Sequence, residues 1–299
     1  MSDANKAYVY ALISVLCWST VATAFKIALQ DLDIYQLLFF ACCASSIILL
    51  IPIIVKGEFR LLIEEGTKYW RRTLLVGMLN PVVYYIVLFA AYDRLPAQIA
   101  QPINYTWAIV LTFFSVIFLK QKPLAPDYLA AFICYAGVVV IASQGGLDNF
   151  DISQLPGIAL AIFSTVIWAS YWVLNVNDPR SHNVAMCLNF IFALPIVALV
   201  CWAMSSFQIG LHGLLSAAYV GVFEMGLAFL FWSKALRLAE NTSRVSTMIF
   251  LSPFLSLFFI HQFLGEPIYL TTYVGLVVII IGLMVQRVGI SRSDDRKTG

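Results

Sequence analysis

Along this 299-residue chain, long apolar stretches follow one another with only short polar segments between them. A stretch of roughly 20 apolar residues is what a helix needs to cross the hydrocarbon core of a bilayer. A helix also pairs its own backbone groups, which lipid cannot do. The apolar runs predict ten spans, near 8–29, 34–55, 72–92, 97–119, 127–144, 155–176, 183–204, 213–236, 243–263 and 269–288. Composition agrees with lipid as the main solvent. Hydrophobic residues make up 61% of the chain and charged residues only 11%, whereas a soluble domain carries about a quarter charged residues. The expected fold class is therefore an all-α integral membrane protein.

Several classes are disfavoured by the same sequence. A net charge of +2 offers no basic patch for nucleic acid. Cys17, Cys42, Cys43, Cys134, Cys187 and Cys201 all fall inside apolar runs, where they read as small packing residues rather than a disulfide framework or metal site. His182, His212 and His261 stand singly, and no HExxH or carboxylate cluster is present for a membrane enzyme. There is no Gly-rich phosphate-binding loop, so ATP is not the expected fuel, and no cofactor or metal is expected. The N-terminus, with Lys6, an apolar run, and Ala22 and Ala24, has the outline of a signal peptide. The run from Tyr8 to Leu29 is long enough to span, and has a counterpart later in the chain, so it is expected to remain as the first helix.

Lys and Arg placement sets the expected orientation. With a cytoplasmic N-terminus, all but Lys26 and Arg94 of the 18 basic residues fall on the inside. They include Lys6, Lys56, Arg60, Lys68, Arg71, Arg72, Lys120, Lys122, Arg180, Lys234, Arg237, Arg244, Arg287, Arg292, Arg296 and Lys297. One missed span would scramble that bias in every later loop. An even helix count follows, with both termini cytoplasmic and a polar tail over 289–299. The expected location is the inner (cytoplasmic) membrane.

The chain also repeats itself. Ser14-Val-Leu-Cys-Trp18-Ser-Thr20 resembles Ser164-Thr-Val-Ile-Trp168-Ala-Ser170. Gly77 pairs with Gly221, Arg94-Leu95 with Arg237-Leu238, Pro123 with Pro267, and Gly137 with Gly282, in the same order. The halves 1–145 and 155–288 would each hold five helices, an odd number, so the second enters the membrane inverted. Arg94 and Arg237 match in the repeat yet lie on opposite sides. Two inverted five-helix repeats can exchange conformations, giving inward-open and outward-open states with a site near the midplane. That device points to a carrier working by alternating access.

Particular residues carry a family resemblance. Leu16-Cys-Trp18-Ser19-Thr20, Asn104-Tyr105-Thr-Trp107 with the run to Lys120-Gln-Lys122, Ile167-Trp168-Ala-Ser170-Tyr171 and Gly265-Glu266-Pro267 resemble the EamA-type branch of the drug/metabolite transporter superfamily. Asn-Tyr-x-Trp and both helix-starting Trp motifs are most similar to bacterial exporters of aromatic amino acids. The resemblance covers nearly the whole chain. It implies a central cavity lined by helices 1–4 and 6–9, with helices 5 and 10 peripheral.

Glu224 is the first candidate for function. It lies well inside the eighth span among Val222, Phe223, Met225 and Leu227. A carboxylate at that depth needs a cavity, a partner or a proton. Proton coupling or capture of a substrate amine are the functional roles, and a protonated acid fixing helix packing is the structural one. Asn80, beside Pro81 in the repeat-equivalent third span, either completes a polar site with Glu224 or satisfies carbonyls freed by Pro81. In the fourth span Gln98 precedes Gln101, Asn104, Tyr105 and Ala108, which would share one helix face, as a cavity wall or as interhelical glue.

Trp18, Tyr84, Tyr85, Trp107, Trp168, Tyr171 and Trp172 are aromatic candidates. Trp18, Trp107 and Trp168 lie too deep for an interfacial belt. They would stack on a planar substrate or hold a cation, with core packing as the competing role. The residues expected to bind substrate are Trp18, Asn80, Tyr84, Gln101, Asn104, Tyr105, Trp107, Trp168 and Tyr171, with Glu224 for coupling. Lys26 reads as a snorkelling side chain or an attractor at the outer mouth. Ala130, Cys134, Gly137, Gly275 and Gly282 form seams for close helix contact.

These readings predict a secondary transporter exporting a small amphipathic metabolite such as an amino acid, with an aromatic one first. Cationic drugs or other metabolites are alternative cargoes, and a membrane enzyme or scramblase is the alternative class. Its partners would be the small-molecule substrate, the lipid bilayer and protons. It would act as a monomer or a homodimer.

Overall fold

The computed structural model describes residues 3–119, 125–145, 151–176, 178–239, 245 and 248–298. Lys120, Lys122, Pro123 and Arg244, used above for orientation and repeat, lie outside the described residues. Helices dominate the described chain, and no strand occurs among the described residues. In order they are α1 (Asp3–Asp31), α2 (Ile34–Val55), α3 (Phe59–Lys68), α4 (Trp70–Gly77), α5 (Tyr84–Arg94), α6 (Ala97–Asn104) and α7 (Trp107–Leu119). Then follow α8 (Ala125–Ala142), α9 (Leu155–Val176), α10 (His182–Met204), α11 (Leu211–Tyr219), α12 (Ala228–Leu238), α13 (Leu251–Leu264) and α14 (Leu270–Thr298).

Among the described residues, six helical stretches are long and apolar enough to cross a membrane: Asn5–Asp31, Ile34–Val55, Trp70–Arg94, Ile152–Asn175, His182–Met204 and Leu211–Leu238. Tyr128–Ala142, Met248–Leu264 and Leu270–Val285 are shorter apolar helices. Large apolar side chains in mid-helix, such as Ile47, Phe132, Leu199 and Phe258, are exposed. Water would oppose that surface and lipid would not.

The structure departs from the expected reading in five places. The fourth span is two pieces, α6 and α7, joined at Tyr105–Thr106. Pro102 inside α6 has no N–H to donate, and the Thr106 backbone N–H and hydroxyl both turn back to the Ile103 carbonyl, at 3.0 and 2.8 Å. Gln101, Asn104, Tyr105 and Ala108 are therefore not carried by one unbroken helix. The third and eighth spans are also interrupted, the third by a kink within Met78–Val83 and the eighth over Val220–Leu227, where the helix widens to π-type turns. At Asn80 the backbone is extended, with φ −142° and ψ 116°. Lys56–Arg72, read as a loop, contains the short helix α3. Finally, α14 runs on through Thr298, and its polar last turns need no lipid to be helical.

Contacts group the chain into two units, each drawing helices from both sequence halves. The first comprises Met1–Phe89 and Asp178–Gly265, and the second Ala90–Asn177 and Glu266–Gly299.

In the first unit, α1 packs along α12 and α13, and α2 against α10 and the turns of 220–227. Two glycines permit the closest approaches. A Cβ on Gly77 would come within 2.6 Å of the Asn189 carbonyl on α10, and one on Gly221 would collide with the Ala41 carbonyl on α2. The Ser45 hydroxyl donates to the Met225 carbonyl at 2.9 Å, satisfying an acceptor in the widened turns. Asp33 starts α2 with a capping box, accepting from the Tyr35 and Gln36 amides while Gln36 Oε1 accepts from its own.

Before α10 stands a buried ionic cluster. The Arg180 guanidinium, fully buried, donates to both Asp178 oxygens at 2.9 and 2.7 Å and to the Thr73 hydroxyl at 2.6 Å. Arg72 donates to Asp178 Oδ2 at 3.1 Å. Burial pushes the Asp178 carboxyl up, but the bonds from Arg180 and Arg72 outweigh it and hold the group below the usual carboxylate range. Burial raises Glu65 on α3, against the pull of the Arg180 charge.

In the second unit, α8 lies along α14 at backbone contact. A Cβ on Gly137 would come within 2.7 Å of the Gly275 carbonyl, and one on Gly282 within 2.6 Å of Cys134 Sγ. The seams read from the small residues thus meet one another. Here α6 and α7 pack on α9. The start of α6 is capped from far along the chain: Glu266 accepts from the amides of Ala97 and Gln98, at 2.9 and 3.3 Å. The Gln98 side chain donates to the Pro267 carbonyl and accepts from the Thr272 hydroxyl.

Candidate functional site

The sequence candidates divide between the two units. Trp18, Asn80, Tyr84 and Glu224 belong to the first. Glu224 lies in the widened turns of 220–227, only 7% exposed. The Tyr85 hydroxyl reaches its Oε1 at 3.4 Å, while its Oε2 is buried without a partner among the described residues. Asn80, at the break of the third span, is 2% exposed and its Oδ1 has no partner either. The two helices differ in what accompanies the interruption. Pro81 disrupts the ladder next to Asn80. In the eighth span Gly221 meets the α2 backbone at Ala41, and Gly226 meets the Ile48 side chain.

Tyr84 stacks edge-on with Tyr85 at 4.8 Å, and Tyr85 continues to Phe89 and on to Phe25. The side chain that touches Glu224 is thus Tyr85, outside the set chosen from sequence for substrate contact. Its position after Asn80-Pro81 on the interrupted helix was the available signal. Trp18 packs edge-on against Phe229 and Trp232, at 5.7 and 5.4 Å. Asn189 was also missed. It is fully buried on α10 opposite Gly77, and neither polar atom of its side-chain amide has a partner among the described residues.

Gln101, Asn104, Tyr105, Trp107, Trp168 and Tyr171 belong to the second unit. Trp168 stacks on Tyr171 at 5.3 Å. Trp172 meets Trp107 in a near-parallel stack at 6.2 Å and Trp168 edge-on at 6.1 Å, so it is the centre of this aromatic cluster. Its indole Nε1 is buried without a partner among the described residues. Asn104 donates to the Ser164 hydroxyl of α9 at 3.0 Å, which is interhelical glue. Gln101 is 3% exposed and its Nε2 has no partner among the described residues. Tyr105 is half-buried at the turn between α6 and α7.

Two further features complete the survey. The first unit contains a pocket of about 410 Å³ between α1, α11 and α13, lined by Thr20, Thr23, Ile27, Tyr219, Phe259 and Phe263 among others. None of the residues selected from sequence lines it. Among the described residues, no three His, Cys, Asp or Glu gather to hold a metal ion.

Each unit thus holds polar atoms that the described residues leave open deep in apolar helices: those of Asn80, Asn189 and Glu224 in the first, and those of Gln101 and the Trp172 indole in the second. Comparison with known proteins gives the class. The sequence profile of the EamA-like transporter family matches residues 5–143 and again 155–287, and the chain belongs to that family. It is a multi-pass membrane protein and a transporter. An uncharacterized transporter of Archaeoglobus fulgidus is 24% identical over 284 residues, spanning 93% of this chain and 96% of the relative. The inner membrane protein YtfF of Escherichia coli is 26% identical, spanning 70% of this chain and 64% of YtfF. The aromatic amino acid exporter YddG of Ancylobacter novellus is 26% identical, over 52% of this chain and 54% of the exporter. A crystal structure at 19% identity shares the fold with a TM-score of 0.65, covering 94% of this chain and 96% of that one.

Proposed function

We propose that the chain is a secondary carrier that exports a small amphipathic metabolite, an amino acid and foremost an aromatic one, by alternating access, with Glu224 as its coupling group. The observation that carries this reading is the Glu224 carboxylate, buried in a widened turn with one oxygen on Tyr85 and the other open. π-type turns inside α-helices occur often at functional sites. An intramembrane acid with an open oxygen is placed to take up a proton or a substrate amine. The Trp107, Trp168, Tyr171 and Trp172 cluster supplies ring faces for a planar side chain. The relative named as an aromatic amino acid exporter, similar over about half of each chain, supports the same cargo.

The architecture proposed with it is ten spans in two inverted halves, 1–145 and 155–288, followed by the segment 289–299. The double family match supports the duplication. So do the helix interruptions at Met78–Val83 and Val220–Leu227, and the paired backbone contacts of Gly77 and Gly221. In the first unit α1 runs beside α13, and in the second α9 runs beside α6 and α7, pairings that an inverted repeat exchanges. The basic residues favour cytoplasmic termini in an inner membrane.

Counterflow tests the reading. Proteoliposomes preloaded with unlabelled phenylalanine should take up labelled phenylalanine saturably, and an imposed pH gradient should change the rate. Glu224→Gln should retain exchange but lose the response to the gradient. An unaltered response in that variant removes Glu224 from coupling. No uptake of any amino acid by folded protein removes the substrate reading and directs the search to cationic drugs and other metabolites.

The aromatic cluster has its own expected result. Trp107→Ala and Trp168→Ala should each raise KM several-fold to about tenfold, since an aromatic pair contributes about 0.5–1.5 kcal/mol beyond its burial. Initial rates across a substrate series measure it, and an unchanged KM in both variants assigns the cluster to packing alone.

A further inference from the structure

The first unit buries several polar atoms with no partner among the described residues, on Thr23, Ser46, Glu65, Ser252 and Ser256 as well as on the three side chains that the third, seventh and eighth spans contribute, Asn80, Asn189 and Glu224. Asn189 is 0%, Asn80 2% and Glu224 7% exposed. On these three the atoms without partners are both amide atoms of Asn189, Asn80 Oδ1 and Glu224 Oε2. They stand on elements in contact. Helix α10 packs against the Met78–Val83 turns that hold Asn80. Gly77, three residues before Asn80, brings that span onto the Asn189 backbone. From the same span, Tyr85 reaches across to Glu224.

Asn189 is the informative member. It follows Leu188 and precedes Phe190 on an apolar helix, about 10 Å along the axis from the start of α10. Leucine would fit lipid-embedded packing there without penalty. An amide with neither end bonded is the unfavourable choice unless something polar visits it. The four open atoms define that visitor. Asn189 Oδ1, Asn80 Oδ1 and Glu224 Oε2 are three acceptors, one of them able to carry negative charge. A primary ammonium group has three N–H donors and one positive charge. Asn189 Nδ2 remains as a donor, suited to a carboxylate oxygen on the same ligand.

The geometry points to Asn189, Asn80 and Glu224 as a binding site for the ammonium group of a primary-amine substrate, with Asn189 also donating to a neighbouring carboxylate. This rests on the carrier reading above and specifies the chemistry of its cargo: the amine is required, and the carboxylate helps.

Titration calorimetry on purified protein in nanodiscs tests it with three probes that share one ring: phenylalanine, phenethylamine and 3-phenylpropionate. The wild type should bind phenylalanine most tightly, phenethylamine less tightly and 3-phenylpropionate not at all. Asn189→Leu should melt at or above the wild-type temperature, because it removes an unsatisfied buried amide. Its affinity for phenylalanine should fall about tenfold to a hundredfold, the scale of losing hydrogen bonds to a charged group. Asn189→Asp, which keeps an acceptor and adds charge, should hold or strengthen phenethylamine binding, and it decides the matter if the leucine variant fails to fold. Unchanged phenylalanine affinity in Asn189→Leu overturns the inference while leaving the carrier reading intact. Equal binding of 3-phenylpropionate, or loss of phenethylamine binding in Asn189→Asp, does the same. If the wild type binds neither amine, the ammonium site and the amino acid reading fall together.

Discussion

Replacing Arg180 with methionine is expected to destabilise the protein by about 3–5 kcal/mol, the scale of removing one partner from a buried ion pair. The guanidinium is fully buried and holds both Asp178 oxygens as well as the Thr73 hydroxyl. Without it, Asp178 keeps as donors Arg72, whose side chain is itself 31% exposed, and the backbone N–H of position 180. Thermal unfolding in a fixed detergent should record a large drop for Arg180→Met and a smaller one for Arg72→Met. The pH dependence has a definite sign. In the folded protein Asp178 is held below its ordinary value, about 3.9 in an unfolded chain. Its contribution is therefore complete above the unfolded value and is lost as pH falls through the lower, folded one. Arg180→Met removes the main force lowering that value and leaves burial to raise it, so the share of stability lost on acidification should shrink or reverse in the variant. Equal acid profiles for the two proteins would show that Asp178 does not depend on Arg180.

Gly221→Ala is the second large effect. A Cβ there would collide with the Ala41 backbone carbonyl and would lie 2.8 Å from the Ala44 methyl. Neither is a flexible side-chain end that can swing aside. Separating α2 from the eighth span should cost about 1–3 kcal/mol for alanine, as overpacking does, and leucine should leave no folded protein. Gly210→Ala is the control, since nothing lies within 4 Å of a Cβ at that position. Size-exclusion profiles and melting curves of the three variants check both statements. A wild-type melting temperature for Gly221→Ala would mean that α2 is not held at backbone contact.

What the sequence made legible follows the physics of lipid. Spans announce themselves because lipid demands long apolar helices, and the seam at Gly137, Gly275 and Gly282 was visible because small residues in such helices have few other uses. The break at Asn80 was half visible, through Pro81. The widening over Val220–Leu227 was not, because it accompanies the close approach of α2 at Gly221 and Gly226, a tertiary contact with no local breaker. Helix α3 hides in its charges, Arg60, Glu64 and Glu65 among apolar residues, which read as a loop when the question is what spans. Asn104 looked like a lining residue but is bonded to Ser164. Asn189 looked like nothing, since one asparagine in an apolar helix is ordinary interhelical glue. Only the emptiness of both ends of its amide distinguishes it, and no one-dimensional pattern records that.

The cap on α6 has a consequence in time. Its first amides, Ala97 and Gln98, are satisfied by Glu266, and Pro96 before them provides no side-chain cap of its own. The ribosome must add 169 further residues after Ala97 before that carboxylate exists. At roughly 5–20 residues per second, this is on the order of ten to thirty seconds. For that interval the helix bearing Gln101 and Asn104 waits at the translocation machinery with an unfinished end, and the late arrival of Glu266 closes it. The two halves of the gene product are thereby bound to one schedule: a nascent chain halted before Gly265 holds every residue of α6 and lacks the group that completes its first turn.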